Sequence, residues 1–161
     1  AMVADRIDMN AVVGDIEALV TPQLMEKHLD YHYVPGGEDC IAIGDAEKIE
    51  QILLNLLSNA IKFSEKGDMI EVSVACEDEW VVVRTRDTAS GIAADKLEAV
   101  FEPFVQLNRT KTSPLGGTGL GLSISRDLAR LLNGDLTVES TVGVGSTFLL
   151  RLPRHDPQKQ K

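Results

Sequence analysis

Gly116-Gly117-Thr118-Gly119-Leu120-Gly121-Leu122-Ser123 is the stretch that best decides the fold of this chain, and it runs directly into an apolar, helix-patterned segment, 124–132. Glycine has no Cβ, so backbone N–H groups in such a stretch can approach a ligand closely. A helix that begins just behind the glycines adds unpaired N–H donors and a partial positive charge. This combination is typical of a phosphate-binding site, although glycines also mark ordinary turns.

Two common phosphate-binding motifs are excluded. A P-loop needs Gly-Lys followed by Ser or Thr, and no such sequence follows the glycines. The G-x-G-x-x-G pattern, counted from Gly117 or Gly119, needs a glycine where Leu122 or Ile124 stands. The glycine stretch therefore predicts a nucleotide site of another kind.

The composition indicates one globular domain: the chain has 161 residues, 43% of them hydrophobic and 25% charged. Its net charge of −9 argues against binding to nucleic acid or to an anionic membrane surface. There is no signal peptide, and no apolar run approaches the roughly 18 residues that a membrane span needs. We therefore expect a cytoplasmic protein without membrane contact of its own.

Two cysteines, Cys40 and Cys76, each lie in a strand-like apolar run. Their spacing matches no metal-binding motif and gives no support for a bridge between them. In a cytoplasmic protein, we expect both to be buried, reduced thiols.

Apolar periodicity predicts helices over residues 10–27, 45–64, 94–101 and 119–132, with Asn10 as the first cap and Pro22 as a possible break. Apolar runs, alternating or continuous, predict strands over 29–34, 40–43, 69–76, 80–87, 136–139 and 146–152. The strands predicted over 69–76 and 80–87 are expected to form a hairpin, and residues 106–115 are expected to form a mobile loop. Helices interleaved with hairpin strands predict an α/β (α+β) two-layer sandwich, a mixed sheet with helices on one face.

The helix predicted over 45–64 carries one narrow polar stripe, formed by Lys48, Gln51, Asn55, Asn59 and Lys62. Nearly all its other positions are apolar, so the helix should be buried almost all round and its stripe should line a cleft. An asparagine carbonyl oxygen suits Mg²⁺, and a lysine can meet a phosphate as a point charge. The alternative is a solvated face with two incidental asparagines.

Asp87 ends a valine-rich strand and leads into Thr88-Ala89-Ser90-Gly91-Ile92. A carboxylate only accepts hydrogen bonds, so facing a purine it would favour the amino donor of adenine over the carbonyl of guanine. Taken alone, Asp87 is better explained as a turn-initiating aspartate.

Five segments resemble, in order and spacing, the motifs of sensor histidine kinases. They are Asn55-Leu56-Leu57-Ser58-Asn59-Ala60-Ile61-Lys62-Phe63, Asp87-Thr88-Ala89-Ser90-Gly91-Ile92, Phe101-Glu102-Pro103-Phe104, Gly117-Thr118-Gly119-Leu120-Gly121-Leu122 and Gly143-Val144-Gly145-Ser146-Thr147-Phe148. The resemblance covers nearly the whole chain as a catalytic, ATP-binding domain, with the Bergerat fold shared with gyrase-type ATPases, MutL and Hsp90.

The resemblance implies that Asn59 binds Mg²⁺, that Asn55 lies near the metal and phosphates, and that Lys62 contacts phosphate. Asn55 and Lys62 are thereby the expected catalytic residues. The remaining expected nucleotide contacts are Phe63, Asp87 at the adenine amino group, Gly91, Ile92, Phe104, Gly117, Thr118, Gly119, Leu120, Gly121, Leu122 and the Ser146 hydroxyl. Phe101 and Phe104 would anchor a loop that becomes an ATP lid.

Two departures from the family pattern stand out. Ala89 replaces a usual glycine, which would cost on the order of 1 kcal/mol if that position needs positive φ or close backbone approach. The phospho-accepting histidine of full-length kinases is also missing, because His28, His32 and His155 lack its flanking residues.

The resemblance predicts a domain that binds Mg·ATP and donates the γ-phosphate to a histidine on its own dimerisation domain, for relay to a response regulator receiver domain. Residues 1–9 would be a cloning remnant and the end of a linker, 10–153 the catalytic domain, and 154–161 a polar tail. We expect this fragment to be a monomer and the full-length kinase a homodimer.

Other functions stay open on the sequence. A self-contained ATPase of the gyrase, MutL or Hsp90 type would need a glutamate general base where Asn55 stands. A degenerate nucleotide-binding or protein-interaction module would be consistent with Ala89. A serine kinase of the anti-sigma type has similar motifs, but the Phe-Glu-Pro-Phe segment looks more like the histidine kinases.

Overall fold

A computed structural model describes residues 5–37, 40–89, 101 and 121–154. The elements in these ranges are β1 (Asp5–Asp8), α1 (Met9–Glu26), β2 (Asp30–Val34), β3 (Ile41–Gly44), α2 (Ala46–Phe63), β4 (Met69–Glu77), β5 (Trp80–Asp87), α3 (Gly121–Leu131), β6 (Asp135–Thr141) and β7 (Gly145–Pro153). Apart from Phe101, the helix predicted over 94–101 and the loop predicted over 106–115 lie outside the described residues. None of the helices described is both long and apolar enough to span a membrane.

The main sheet has five strands in the order β2-β4-β5-β7-β6. β2 pairs with β4 in parallel and the other neighbours are antiparallel, so the sheet is mixed. The predicted hairpin is confirmed, with Glu77 opposite Trp80 at its turn and Ile70 opposite Asp87 at its open end. Alternate residues of β4 are buried in a core shared with the three helices of the described ranges, which confirms the predicted α+β sandwich.

A second, two-stranded sheet joins β1 to β3, with Ile7 opposite Ala42. The strand Asp5–Asp8 was not predicted, and its Ile7 is buried in the core. The strands predicted over 29–34 and 40–43 both exist, but they lie in different sheets. The domain boundary drawn at residue 10 stays a prediction.

The predicted cap of α1 is wrong. Asp8 is the cap, because its Oδ1 accepts hydrogen bonds from the backbone N–H groups of Asn10 (3.0 Å) and Ala11 (3.4 Å). Asn10 lies inside the helix, and its Nδ2 donates to the carbonyl oxygen of Gly36 at 3.1 Å. The helix continues through Pro22 to Glu26.

The predicted α2 is confirmed between the caps Asp45 and Ser64. The Asp45 carboxylate accepts from the N–H groups of Glu47 (3.0 Å) and Lys48 (3.4 Å), as an N-cap should. Its buried face consists of Ile49, Ile52, Leu53, Leu56, Leu57, Ala60 and Ile61. Burial almost all round is not observed, because Leu54 and Ser58 are exposed.

Cys40 and Cys76 form a disulfide, with their Cα atoms 5.5 Å apart, so the expectation of two reduced thiols is wrong. The parallel pairing of β2 with β4 brings the segment that follows β2 alongside β4. Gly36 lies in this segment, packed against Cys40 and the carbonyl oxygen of Val74. A bridge between residues this far apart in sequence depends on that pairing, which local patterns do not specify.

Candidate nucleotide-binding site

The polar end of the sheet lies where β5 stops at Asp87. The backbone N–H of Thr88 donates to the carbonyl oxygen of Met69 (3.1 Å), and the N–H of Met69 donates to Thr88 Oγ1 (2.8 Å). Only the short segment 64–68 separates α2 from Met69, so the carboxyl end of α2 and Asp87 lie at the same end of the sheet.

Asp87 is buried, with 7% of its surface exposed. Its Oδ1 accepts a hydrogen bond from the backbone N–H of Ala89 at 3.0 Å, and its carboxylate also accepts from the backbone N–H of Ser146. Burial raises the pKa of Asp87 above its ordinary value, these two hydrogen bonds oppose the rise, and the charge of Asp68 adds to it. The result is a fixed, partly desolvated acceptor at the mouth of the sheet.

Ser146 lies directly opposite Asp87 in the pair formed by β5 and β7. Its contact with the carboxylate is made by the backbone N–H, whereas its hydroxyl lies 2.8 Å from Ser140 Oγ. Ser140 Oγ also donates to the carbonyl oxygen of Gly145 at 2.9 Å. Sequence reasoning missed Ser140, because nothing local in β6 marks it as a partner of β7.

Gly145 makes the close approach of β7 to Asp87 possible. Its φ is +142°, and a Cβ added there would overlap the carbonyl oxygen of Asp87. Only glycine combines this backbone conformation with this contact. The last of the five motifs therefore needs its second glycine to bring Ser146 beside Asp87.

Ala89 is not strained. Its φ is not among the positive values of the described residues, which outside glycine occur at His28, Asp78 and Asn133. The backbone condition under which alanine would cost stability is therefore not met at this position. Ala89 is buried and supplies one of the two N–H groups that hold Asp87.

Asn55 and Asn59 are both half-buried on α2. Asn55 Nδ2 donates to Ser125 Oγ on α3 at 3.0 Å, and Asn59 Nδ2 donates to the backbone carbonyl of Asn55 at 3.0 Å. The amide nitrogen of Asn59 is thus held by the helix itself. Its carbonyl oxygen remains as the ligand-type atom, which suits a hard cation such as Mg²⁺.

Lys62 and Phe63 are the last two residues of α2, at the end of the sheet where Asp87 lies. Lys62 Nζ lies 5.1 Å from the centroid of the Phe63 ring, which is 40% exposed. Lys27 Nζ donates to the carbonyl oxygens of Ile61 (2.6 Å) and Lys62 (3.0 Å). This cation satisfies terminal carbonyls of α2 and complements the helix dipole, so it holds the end of α2 in place.

Phe101 is buried and packed from two sides, while its predicted role in anchoring a lid loop stays a prediction. Its ring meets Phe148 edge-to-face, with the centroids 6.2 Å apart, and Arg126 Cζ lies 4.3 Å from its centroid. Arg126 belongs to α3, so the cation–π contact joins Phe101 to the helix that begins at Gly121.

Several predicted nucleotide contacts lie outside the described residues: Gly91, Ile92, Phe104, Gly117, Thr118, Gly119 and Leu120. Gly121 is the first residue of α3, and Leu122 is half-buried against the hydrophobic core. The roles of these residues, and of Asn55, Asn59, Lys62, Phe63, Asp87 and Ser146 toward a ligand, stay predictions.

The mixed sheet, the asparagine-bearing helix α2 and the buried Asp87 at the sheet end belong to one α+β domain. The family model for the histidine kinase-, DNA gyrase B-, and HSP90-like ATPases matches residues 44–156. The chain belongs to this family.

Curated relatives are sensor kinases. Sensor histidine kinase RcsC of Salmonella typhimurium is 36% identical over 148 residues, which is 91% of this chain and 16% of that protein. Autoinducer 2 sensor kinase/phosphatase LuxQ of Vibrio harveyi is 42% identical over 120 residues, 71% of this chain and 14% of that protein. The chain thus spans only a small fraction of the length of these relatives.

Solved structures share the fold. Full-length ShkA in complex with AMPPNP has a TM-score of 0.84 and 26% identity, covering 96% of this chain and 32% of that one. The catalytic domain of histidine kinase ThkA has a TM-score of 0.83 and 24% identity, covering 95% of this chain and 97% of that one. The Bergerat fold that the resemblance implied is therefore confirmed.

Proposed function

We propose that this chain is the Mg·ATP-binding catalytic domain of a two-component sensor histidine kinase. It donates the γ-phosphoryl group to a histidine on a dimerisation domain outside this sequence. The histidine nitrogen forms a bond to the γ-phosphorus while the bond to the β,γ-bridging oxygen breaks and ADP leaves. The phosphoryl group then passes to a response regulator receiver domain.

Family membership and the named kinase relatives support this proposal. A solved complex of ThkA with the response regulator protein TrrA has the same fold, with a TM-score of 0.80 and 22% identity. We expect the fragment to be a monomer in the cytoplasm and the full-length kinase to be a homodimer, with or without a membrane anchor.

The buried carboxylate of Asp87 is the observation that carries the proposal. Two backbone N–H groups hold it, and a carboxylate in this position accepts a hydrogen bond from the amino group of adenine. Guanine would present a carbonyl oxygen to the same atoms, so the site favours ATP over GTP. This selection follows from hydrogen-bond polarity alone.

The phosphate end of the site is supplied by α2 and by the start of α3. Asn59 offers its carbonyl oxygen to Mg²⁺, Asn55 lies one turn earlier, and Lys62 places a positive charge one turn later. Magnesium, when bound, neutralises phosphate charge during phosphoryl transfer. The N–H groups at the start of α3 add a partial positive charge to the same end.

A self-contained ATPase is disfavoured by Asn55. An amide cannot take up the proton of an attacking water, and here its nitrogen donates to Ser125. We therefore expect the isolated chain to bind ATP without appreciable turnover. Steady ATP hydrolysis by the purified chain would instead favour the gyrase-type function.

Titration calorimetry of Asn59→Ala tests the proposal. We expect at least a tenfold loss of Mg·ATP affinity with an unchanged melting temperature, because a metal ligand is removed and no core contact is lost. Gln51→Ala is the matched control, since Gln51 is exposed on the same helix. Unchanged Mg·ATP affinity in Asn59→Ala, or no binding by the wild-type chain, would refute the proposed site.

A further inference from the structure

Ser125 is a fully buried hydroxyl on the core-facing side of α3, with none of its surface exposed. The neighbouring positions on that side, Leu122 and Ala129, pack against or within the hydrophobic core. A buried hydroxyl among apolar side chains is costly unless it is hydrogen-bonded. Ser125 meets this requirement by accepting the hydrogen bond from Asn55 Nδ2 at 3.0 Å.

This hydrogen bond holds the Asn55 side chain against α3, with Nδ2 toward Ser125. Because Nδ2 of this amide faces Ser125, its carbonyl oxygen points away from Ser125. Asn59 Nδ2 in turn donates to the backbone carbonyl of Asn55. One serine therefore orients the first asparagine of the polar stripe, and that asparagine's backbone holds the second.

The same contact joins two elements that carry different parts of the site. Asn55 belongs to α2, and Ser125 lies one turn into α3, which begins at Gly121. The hydrogen bond spans 70 positions in sequence, and it sets α2 against the first turn of α3. A substitution at Ser125 should therefore affect the metal and phosphate end of the nucleotide site and leave the Asp87 end unchanged.

We propose that Ser125 is a positioning residue that orients Asn55 for the metal–phosphate end of the nucleotide site. The inference deepens the proposed function and rests on it. Ser125 acts through the Asn55 amide and does not itself touch the ligand. Its effect should appear only in the part of the nucleotide affinity that depends on Mg²⁺.

Calorimetry of ATP binding measures that part when it is done once with Mg²⁺ and once with excess EDTA. The Mg²⁺-dependent part is the ratio of the dissociation constant in EDTA to the dissociation constant in Mg²⁺. We expect Ser125→Ala to lower the ratio about five- to tenfold, since one hydrogen bond of a half-buried amide is lost. Affinity in EDTA should stay within about twofold, a change of well under 1 kcal/mol. Ser125→Cys keeps nearly the size of the side chain but has a weaker acceptor, so its ratio should lie between those of the wild type and Ser125→Ala.

Three further variants separate positioning from a structural effect. In Asn55→Ala, adding Ser125→Ala should cause no further loss, because the amide through which Ser125 acts is already gone. Thr85→Val is the matched control: the Thr85 hydroxyl is also buried, without a hydrogen-bond partner in the described part of the chain, and its removal should leave the ratio unchanged.

Equal losses with Mg²⁺ and with EDTA, additive losses in the double variant, or an unchanged ratio in Ser125→Ala would each overturn the positioning role. If Ser125→Ala does not fold, Ser125→Cys in the same two titrations decides the question. A wild-type chain that binds no Mg·ATP refutes the proposed function itself, which distinguishes that failure from failure of the Ser125 inference.

Discussion

The backbone N–H of Ser146 donates to the Asp87 carboxylate, and the two residues face each other directly across β5 and β7. The Ala89 N–H completes the contact at 3.0 Å. A carboxylate held in this way is partly desolvated, so it is costly to the fold while it is ionised. Adenine recognition and folding stability therefore make opposing demands on Asp87.

Asp87→Asn should raise the melting temperature at neutral pH and lower adenine-nucleotide affinity about ten- to a hundredfold. The amide keeps an oxygen for the N–H groups of Ala89 and Ser146, but turns its NH₂ toward the amino group of the base. Loss of a hydrogen bond to a charged group costs about 1.5–3 kcal/mol, which gives that range. Calorimetry and thermal unfolding check the two effects separately.

The stability gain of Asp87→Asn should depend on pH. The folded-state pKa of Asp87 is raised, so the folded protein holds this proton more tightly than the unfolded chain does. The wild-type chain gains stability as pH falls through the raised pKa, and the gain ends near the ordinary value of 3.8. The difference between variant and wild type should shrink over that window.

Glu77→Gln is the control for both measurements, since Glu77 lies at the opposite end of the same hairpin. A hydrogen bond from Arg84 lowers the pKa of Glu77, so its small contribution is lost as pH falls, the reverse of Asp87. Nucleotide affinity should not change in this variant. Asp87→Asn with wild-type affinity would contradict adenine recognition by this residue.

Gly145→Ala should destabilise the domain by about 2–4 kcal/mol, because its backbone is unfavourable for alanine and the new methyl group overlaps the Asp87 carbonyl oxygen. Gly143→Ala is the matched control: φ is +83° there, but the space around it is open, so only about 1 kcal/mol of backbone strain should appear. Urea unfolding of both variants gives the comparison. Equal losses in the two would contradict the close contact between Gly145 and Asp87.

Arg126→Met should destabilise the domain by about 1–2 kcal/mol, because its cation–π contact with Phe101 is largely shielded from water. Arg130→Met is a close control on the same helix, since both arginines approach Asp135 but Arg130 is 53% exposed at its side chain. We expect less than about 1 kcal/mol there. In a Phe101→Leu background, the Arg126 effect should largely disappear; if it persists in full, the ring contact does not carry it.

Local patterns were sufficient for the elements with strong periodicity. The apolar repeat of α2 predicted that helix, and the apolar runs over 69–76 and 80–87 predicted the β4–β5 hairpin. The cap of α1 was misplaced because Asp8 and Asn10 are both good capping residues, and the choice depends on where Asn10 reaches, namely Gly36. This tertiary contact of Asn10 is not specified by the local pattern that predicted it as the cap.

Non-local pairing accounts for most of what could not be predicted. Nothing in β1 or β3 by itself indicates that they pair, and the parallel registration of β2 on β4 depends on the whole sheet. At the site, the motifs named Asp87 and Ser146 correctly as neighbours. Which atom of Ser146 makes the contact, and that Ser125 holds Asn55, depend on side-chain geometry across separate elements.

The Cys40–Cys76 bridge should make stability depend on the redox state. It joins residues 36 apart in sequence, and closing a loop of that size stabilises a fold by about 3–4 kcal/mol in the chain-entropy model. Reduction should therefore lower the melting temperature by roughly 10 °C for a domain of this size. Thermal unfolding with and without reductant measures the shift, and the Cys40→Ser/Cys76→Ser variant should melt at one temperature in both buffers.

Because the bridge lies toward the hairpin turn, away from Asp87, Mg·ATP affinity should change less than about twofold on reduction at a temperature where both forms are folded. If the melting temperature of the wild-type chain is the same with and without reductant, the bridge is contradicted.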